Sequence, residues 1–223
     1  MTWGMRLPIE FGLFFPNGDY IGFKETLEQF FLNEMSKEER ASCGGVAGYA
    51  LKTSNKFHTT PEPLRPHECP REFKVEYTRV KSFGSLIHLP DRLVAVDEAL
   101  KAIIERLEPG LHQFWPIRII MPNGDIYPET YYGLRIGQRL DSFDPDASDE
   151  GVWDVSRGGI YRVYLPRKKY YEGLALSAEK IGKAHLWREA KLYKPNLYFS
   201  DELMAEIKKA GLRLPKSFRL KTV

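Results

Sequence analysis

Hydrophobic residues recur every three or four positions in three stretches of the chain, and this spacing predicts three amphipathic helices. The first covers Lys24–Arg40. The second begins at Asp91, a favourable N-cap, and ends before Pro109. The third begins after Ser200, with acidic residues in its first turn and lysines in its last, as the helix dipole favours.

In other stretches the hydrophobic residues alternate with polar ones or form short runs, and both patterns predict β-strands. The turn sequence Pro-Asn-Gly-Asp occurs at residues 16–19 and again at 122–125, each time after an apolar run. Asn and Gly accept positive φ, so we predict two hairpins built the same way. The predicted strands are Leu7–Phe15, Tyr20–Phe23, Phe73–Val80, Ser85–Leu89, His112–Met121, Tyr131–Ile136, Ile160–Leu165, Ala184–Glu189 and Asn196–Phe199.

Two stretches lack either periodicity and are predicted to be irregular. Residues 43–71 are rich in glycine and proline, which indicates a long surface connection. Residues 141–154, with the sequence DSFDPDASDEGVWD, form an acidic loop in which proline and serine argue against a regular element. Because helices and strands are interspersed without regular βαβ spacing, the sequence predicts an α+β fold, mainly antiparallel hairpins with a few packed amphipathic helices.

Composition narrows the class of protein. With 223 residues, of which 43% are hydrophobic, the chain can fold as one large domain or two small ones. Its 33 Lys and Arg residues exceed its 30 Asp and Glu residues only slightly, which argues against a nucleic-acid-binding protein. No apolar stretch suits a signal peptide or a membrane span, and Cys43 and Cys69 are too few for a disulfide framework. We therefore expect a mature, cytoplasmic protein with free thiols.

The motifs of common catalytic and cofactor sites are absent from the sequence. No P-loop, nucleophile elbow, HExxH or dinucleotide fingerprint occurs. The glycine-rich residues 44–48 lack the lysine of a phosphate loop, and the His-Glu-Cys sequence at 67–69 lacks the cysteine pair of a zinc deaminase. Asp144, Asp146 and Asp149 lack the glycine and the final glutamate of a calcium loop. The sequence therefore predicts no catalytic residue, cofactor or metal ion.

One histidine leaves a catalytic alternative open. His112 comes just before Phe114 and Trp115, in a context where an imidazole could act as an acid or a base. We interpret it as a packed side chain that bonds a backbone carbonyl, and the alternative is a small hydrolase or modification-reversing enzyme with a His112-centred site. A nucleic-acid-binding module would instead use the basic and aromatic residues 167–171, which we interpret as an exposed strand end.

Three blocks of the sequence share short motifs with a known family. A helix leads into His-Gln-Phe-Trp-Pro at 112–116, a Leu-Trp-Arg strand follows at 186–188, and a Phe-Ser-Asp-x-Leu helix start follows at 199–203. In these motifs the chain resembles, over residues 89–220, a bacterial family first catalogued as a domain of unknown function and assigned to the immunity proteins of polymorphic toxin systems. The resemblance implies an immunity-protein-like α+β region at 86–223 and leaves 1–85 as an unassigned N-terminal α+β lobe.

The resemblance also implies that the protein binds a cognate toxin and blocks it in the cytoplasm, without catalysis of its own. Such an inhibitor covers its target with an aromatic or arginine anchor inside a polar rim. We predict that the acidic loop supplies the contact, because acidic side chains speed association with a basic partner. Its contact residues would be Asp141, Asp144, Asp146, Asp149, Glu150 and Trp153. The alternative is an exposed linker with Trp153 packed into the core.

Overall fold

The computed structural model describes residues 1–60, 62–156, 158–165 and 167–223. Within these ranges the chain forms seven α-helices and fifteen strands in mixed sheets, which confirms the predicted α+β class. The chain divides into two compact units. Unit 1 comprises Met1–Pro8, Ala102–Leu111 and Ile136–Val223, and unit 2 comprises Ile9–Lys101 and His112–Arg135.

The elements are numbered here in chain order. The strands are β1 (Thr2–Met5), β2 (Asn17–Tyr20), β3 (Glu72–Tyr77), β4 (Leu86–His88), β5 (Val94–Asp97), β6 (Gln113–Ile120), β7 (Tyr131–Arg135), β8 (Arg139–Leu140), β9 (Phe143–Asp144), β10 (Trp153–Val155), β11 (Tyr161–Val163), β12 (Ala175–Leu176), β13 (Leu186–Glu189), β14 (Leu197–Ser200) and β15 (Ser217–Thr222). The α-helices are α1 (Phe23–Gln29), α2 (Lys37–Ala41), α3 (Gly45–Lys56), α4 (Glu98–Leu107), α5 (Lys168–Glu172), α6 (Ala178–Ile181) and α7 (Asp201–Lys209).

In unit 2 the described strands form a six-stranded sheet in the order β2-β3-β6-β7-β5-β4. β3 and β6 are parallel, and the other neighbouring strands are antiparallel. Trp115 of β6 lies so close to Gly133 of β7 that a Cβ on Gly133 would be 2.3 Å from the indole. The Trp115 N–H donates to the carbonyl oxygen of Pro70 at 2.9 Å. The strand that follows His112 is therefore a packed strand of the core, as its alternation of apolar and polar residues indicates.

In unit 1 the described strands form a seven-stranded sheet, β8-β13-β14-β1-β15-β12-β9, and a separate hairpin, β10-β11. β1 lies between β14 and β15, so that Trp3 is paired with Phe199 on one side and with Arg219 on the other. A strand from the start of the chain therefore completes a sheet whose other strands come from residues 139–222. The sheet buries Trp187 and Tyr198 completely.

The two units follow other boundaries than the one predicted between residues 85 and 86. β1 belongs to unit 1 together with the C-terminal strands, whereas Ile9–Lys101 lies in unit 2. The division into an N-terminal lobe at 1–85 and an immunity-protein-like region at 86–223 stays a prediction.

The first predicted hairpin is wrong. Leu7–Phe15 forms no regular strand, and the first Pro-Asn-Gly-Asp sequence is not a turn, because β2 begins at Asn17. Gly18 allows this strand to approach its neighbour closely, since a Cβ at this position would lie 2.1 Å from the carbonyl oxygen of Lys74. The echo between the two tetrapeptides therefore does not reflect a repeated structure.

The second Pro-Asn-Gly-Asp sequence is the turn that the sequence predicts. The N–H of Gly124 donates to the carbonyl oxygen of Met121 at 2.9 Å, and the N–H of Met121 donates to that of Asp125 at 2.8 Å. Gly124 has a φ of 93°, which glycine adopts without strain. The turn connects β6 to the chain that leads to β7.

The helix predicted from Asp91 begins seven residues later. Asp91 has a φ of 56°, outside the helical region, and Val94–Asp97 forms β5. The apolar residues that fit a helical spacing are here buried on both sides of a central strand. The cap is Asp97, whose Oδ1 accepts from the N–H of Leu100 at 2.8 Å.

Two further stretches, one predicted as a helix and one as irregular, differ from the structure. The stretch 24–40 is divided into α1, a π-helical turn at Phe30–Glu34, and α2, because Met35 is extended and Ser36 caps a new helix. The stretch 43–71 contains α3, which begins after the left-handed Gly44. Its glycines mark a helix start where the sequence predicted only an irregular connection.

Helix α7 confirms the predicted C-terminal helix and its cap. The Oγ of Ser200 accepts from the N–H of Leu203 at 3.1 Å, and it also lies 2.9 Å from Nδ1 of His185. Ser200→Ala should lower the free energy of unfolding by about 1 kcal/mol. Ser177→Ala is the control. The Oγ of Ser177 accepts from the N–H of Lys180 at the longer distance of 3.4 Å, and it caps α6, a helix of only four residues. Thermal unfolding measures both, and a Ser200→Ala midpoint equal to wild type would contradict the role of the cap.

Candidate functional site

The acidic loop, residues 141–154, begins on a buried carboxylate that the sequence analysis did not single out. Glu189 of β13 is 6% exposed. Its Oε2 accepts from the backbone N–H groups of Ser142 at 3.0 Å and Phe143 at 3.2 Å. Its Oε1 accepts from the Ser142 hydroxyl and, at 2.9 Å, from the Trp187 indole N–H. Burial raises the pKa of Glu189, while these four donors stabilise its charged form. The carboxylate therefore fixes the start of the loop to the sheet.

A turn within the loop is held by Asp144. Its Oδ1 accepts from the N–H groups of Asp146 at 3.1 Å and Ala147 at 3.0 Å. The Ser148 hydroxyl donates back to the Asp144 carbonyl oxygen at 2.6 Å. These bonds are the local side-chain-to-backbone contacts that Asp and Ser favour outside regular elements. Asp144 is therefore used to shape the loop.

Three carboxylates of the loop are paired with cations of unit 1. Asp141 Oδ2 lies 2.6 Å from Nζ of Lys191, and Asp149 forms an ion pair with Lys221. Asp154 Oδ2 lies 2.8 Å from a guanidinium nitrogen of Arg162, and this hydrogen bond lowers the pKa of Asp154. The negative charge of the loop is therefore smaller than the sequence predicted.

The charges of Asp146 and Glu150 in the loop are not neutralised by an ion pair among the described residues. Both are exposed. Within the described ranges neither side chain forms an ion pair or accepts a hydrogen bond. Carboxylates in this state can attract the cations of another molecule, since no internal partner competes for them.

The aromatic residue of the loop is half-buried. Trp153 lies in β10, with its ring edge-on to Phe143 at 6.1 Å and to Tyr161 at 5.3 Å between centroids. It packs against a cluster of buried residues that includes Phe143 and Leu192. The structure thus places part of the indole in the core and leaves part of it accessible.

The model of the immunity protein family (Imm11) matches residues 29–219. The chain belongs to this family. The match confirms the resemblance and extends it from residue 89 towards the N-terminus. No curated protein that was compared matches the chain.

Each of the first two motifs that carry the resemblance to the Imm11 family has buried residues. His112 is 8% exposed and directly precedes β6. Trp187 is fully buried and stacks on Tyr198 at 5.8 Å between ring centroids. Arg188 is 9% exposed and donates to the carbonyl oxygen of Asn196 at 3.2 Å. In these contacts the motifs mark elements of the fold.

The other candidates for chemistry in this Imm11 protein, Cys69 and His67, belong to unit 2. Cys69 is buried, and burial raises the pKa of its thiol to about 11, so that the thiol stays protonated at neutral pH. His67 is stacked on Phe30 at 3.5 Å, and its Nε2 is 2.6 Å from the Tyr49 hydroxyl. Among the described residues no three His, Cys, Asp or Glu side chains are grouped as metal ligands.

The basic and aromatic residues at 167–171 form a helix start and not a strand end, because Lys168–Glu172 is α5. Tyr171 is fully buried against Phe218, at 4.4 Å between ring centroids, so it is not available for stacking on a base. In the part of the chain that the structure describes, no helix is both long and apolar enough to cross a membrane.

Proposed function

We propose that the protein is a cytoplasmic immunity protein that binds a cognate bacterial toxin and neutralises it by covering the toxin's active surface. The observation that carries the proposal is the match of the Imm11 family over 191 of the 223 residues, from 29 to 219. A family of immunity proteins implies a toxin as the partner. Occlusion is the mode that needs only a stable fold and a complementary surface.

The state of the polar groups supports inhibition without catalysis. A catalytic group must be able to reach a substrate in the required protonation state. Glu189 has four internal donors, and Cys69 is buried with a raised pKa. Glu189 thus stabilises the fold through its hydrogen bonds, and Cys69 is not exposed to a substrate. Two free, buried cysteines also fit a reducing compartment such as the cytoplasm.

The acidic loop is the surface we propose for the toxin contact. Asp146 and Glu150 are exposed and unpaired among the described residues, and the accessible part of Trp153 lies at the end of the same segment. Acidic groups at the rim of an interface mainly raise the association rate, and an aromatic group that becomes buried mainly slows dissociation. Asp141, Asp144 and Asp149 belong to the same surface and shape it through their internal partners.

Two matched double variants test this contact. Asp146→Asn with Glu150→Gln removes two charges that have no internal partner among the described residues, whereas Glu172→Gln with Glu179→Gln removes two exposed charges of unit 1 that lie outside the acidic loop. The first pair should slow association with the toxin by about tenfold at low salt, and the second by roughly twofold or less. The measurement is association kinetics with the toxin that co-purifies from the native cells, at several salt concentrations.

Trp153→Ala completes the design as a test of the anchor. Because the indole is partly packed in the core, the variant must first be shown to be folded by its thermal unfolding. In the folded variant the dissociation rate should rise while the association rate changes little. Wild-type kinetics in this variant and in the Asp146–Glu150 variant would remove the acidic loop from the interface.

A further inference from the structure

A concentrated positive charge lies at the C-terminal end of the sequence. From Ile207 to Val223 there are six Lys and Arg residues and no Asp or Glu. The whole chain has a formal charge of only +3, so the positive charge of this segment is offset elsewhere in the sequence. All six side chains are exposed, and they are Lys208, Lys209, Arg213, Lys216, Arg219 and Lys221.

Few of these cations are neutralised by the protein itself. Lys221 forms its ion pair with Asp149 of the acidic loop. Within the described ranges Lys208, Lys209, Lys216 and Arg219 form no ion pair. Four cations without an ion pair in one short stretch produce a local positive potential. The small net charge of the whole chain does not reveal this potential.

The indole ring of Trp3 contacts two of these cations, Lys208 and Arg219. Nζ of Lys208 lies 4.1 Å from the ring centroid of Trp3, and the guanidinium carbon of Arg219 lies 5.1 Å from it. The Trp3 N–H donates to Oδ1 of Asp201 at 2.9 Å, which fixes the orientation of the indole. Two long side chains held over one ring lose less conformational entropy when they bind a partner than two free side chains would.

Arg219 and Trp3 of this arrangement lie on neighbouring strands of the sheet of unit 1. Along β15 the side chains alternate, with Phe218 and Leu220 buried and with Arg219 and Lys221 exposed. Arg219 is paired in register with Trp3 of β1. Lys208 reaches the same indole from α7. Strand and helix thus present cations around one half-buried tryptophan.

We infer that this basic face, defined as Trp3 with Lys208 and Arg219, is an interaction surface for a carboxylate-rich polypeptide segment of the partner. Trp and Arg are the residues that most often anchor protein interfaces, and the unpaired cations set the sign of the charge that fits. The inference deepens the proposed function and rests on it for the identity of the partner, since that segment would belong to the toxin.

The face suits a protein better than a nucleic acid. Asp201 accepts from the Trp3 indole, and Asp149 is paired with Lys221 at the end of the same strand. A nucleic acid has a negative charge at every phosphate and would meet these carboxylates with repulsion. A polypeptide can place carboxylates at the free cations and leave neutral or basic groups opposite the two aspartates.

The position of Asp149 also relates the two proposed surfaces. Asp149 belongs to the acidic loop, and its partner Lys221 belongs to the basic strand β15. An interface with an acidic part and a basic part accepts a partner in one orientation, because the reverse orientation brings like charges together.

The test uses a probe that does not depend on the toxin. A fluorescein-labelled peptide of eight Glu-Gly repeats is titrated with the full chain, and its anisotropy gives Kd at low and at physiological salt. The variant is Lys208→Gln with Arg219→Gln. The matched control is Lys180→Gln with Lys183→Gln, which removes two exposed cations elsewhere in unit 1 and changes the net charge equally. A labelled oligothymidylate with eight phosphates is the nucleic-acid probe.

The inference predicts that the basic-face variant binds the peptide about tenfold more weakly than wild type, that the control changes Kd by roughly twofold or less, and that wild type prefers the peptide to the oligothymidylate. Equal losses in the variant and the control would overturn it, as would the absence of binding by wild type. Tighter binding of the oligothymidylate would assign the face to a nucleic acid instead. If the peptide result holds and no toxin is bound, the proposed function fails while the basic face stands.

Discussion

Replacing Glu189 with alanine should lower the free energy of unfolding by about 3–5 kcal/mol. The carboxylate is 6% exposed and accepts from two backbone N–H groups, a hydroxyl and an indole N–H. The truncation would leave these donors buried without an acceptor, and each unsatisfied donor costs about 1–3 kcal/mol, less than additively in one network. Chemical denaturation followed by circular dichroism measures the loss.

Two controls separate the carboxylate from a general effect of substitution. Glu189→Gln keeps the shape and one oxygen acceptor but turns an amide group towards the donors, so its loss should be smaller than that of alanine. Glu179→Ala removes an exposed carboxylate of α6 and should change stability by less than about 0.5 kcal/mol. In Glu189→Gln the amides of Ser142 and Phe143 should also exchange faster with solvent, because they lose their anchor. Wild-type stability and exchange would show that Glu189 does not hold the acidic loop.

Leu203→Ala should cost about 2–5 kcal/mol. Leu203 is completely buried in α7, next to the buried residues Met204 and Ile207. The shorter side chain removes apolar contact and leaves a cavity, because the helix and the strands beneath it relax only in part. Thermal and chemical unfolding should both show the loss.

The matched control for this position is Leu203→Met. It conserves most of the volume and should cost less than about 1.5 kcal/mol. Because α7 also carries Lys208 of the basic face, a destabilised helix would disturb that face as well. A Leu203→Ala protein as stable as wild type would mean that α7 is not packed against the sheet.

The elements that sequence patterns predicted well are those whose signals are local. Ser200 and the acidic first turn define the start of α7, and the turn after Met121 follows from Asn123 and Gly124. In β3 and β6 the alternation of apolar and polar residues follows the two faces of the sheet. In each case the residues that decide the structure lie within a few positions of one another.

The secondary-structure predictions were wrong where tertiary contacts determine whether a segment forms a helix, a strand or a turn. The residues 94–96 fit a helical spacing and a buried strand equally well, and pairing with β4 and β7 selects the strand. The first Pro-Asn-Gly-Asp sequence has the residues of a turn, but it forms the strand that pairs with β3. The place of β1 between β14 and β15 depends on residues about 200 positions away, and no local pattern contains that information.

The candidate site shows the same division. The sequence could locate the acidic loop from its composition, but the partners of its carboxylates come from distant positions. Lys191, Lys221 and Arg162 are brought to the loop only by the fold. The sequence offers one local indication of the role of Glu189. It is a charged residue within a short strand that is buried throughout, and a buried charge requires hydrogen-bond partners.

The most direct test of the central claim is the stoichiometry of protection. The cognate toxin is held at a fixed concentration well above Kd, its activity is assayed, and the chain is added in steps. Occlusion predicts that activity falls in proportion to the chain added, reaches zero at one chain per toxin, and returns when the complex is separated. Full protection by a small fraction of an equivalent, increasing with time and persisting after the chain is removed, would show an enzyme and contradict the account.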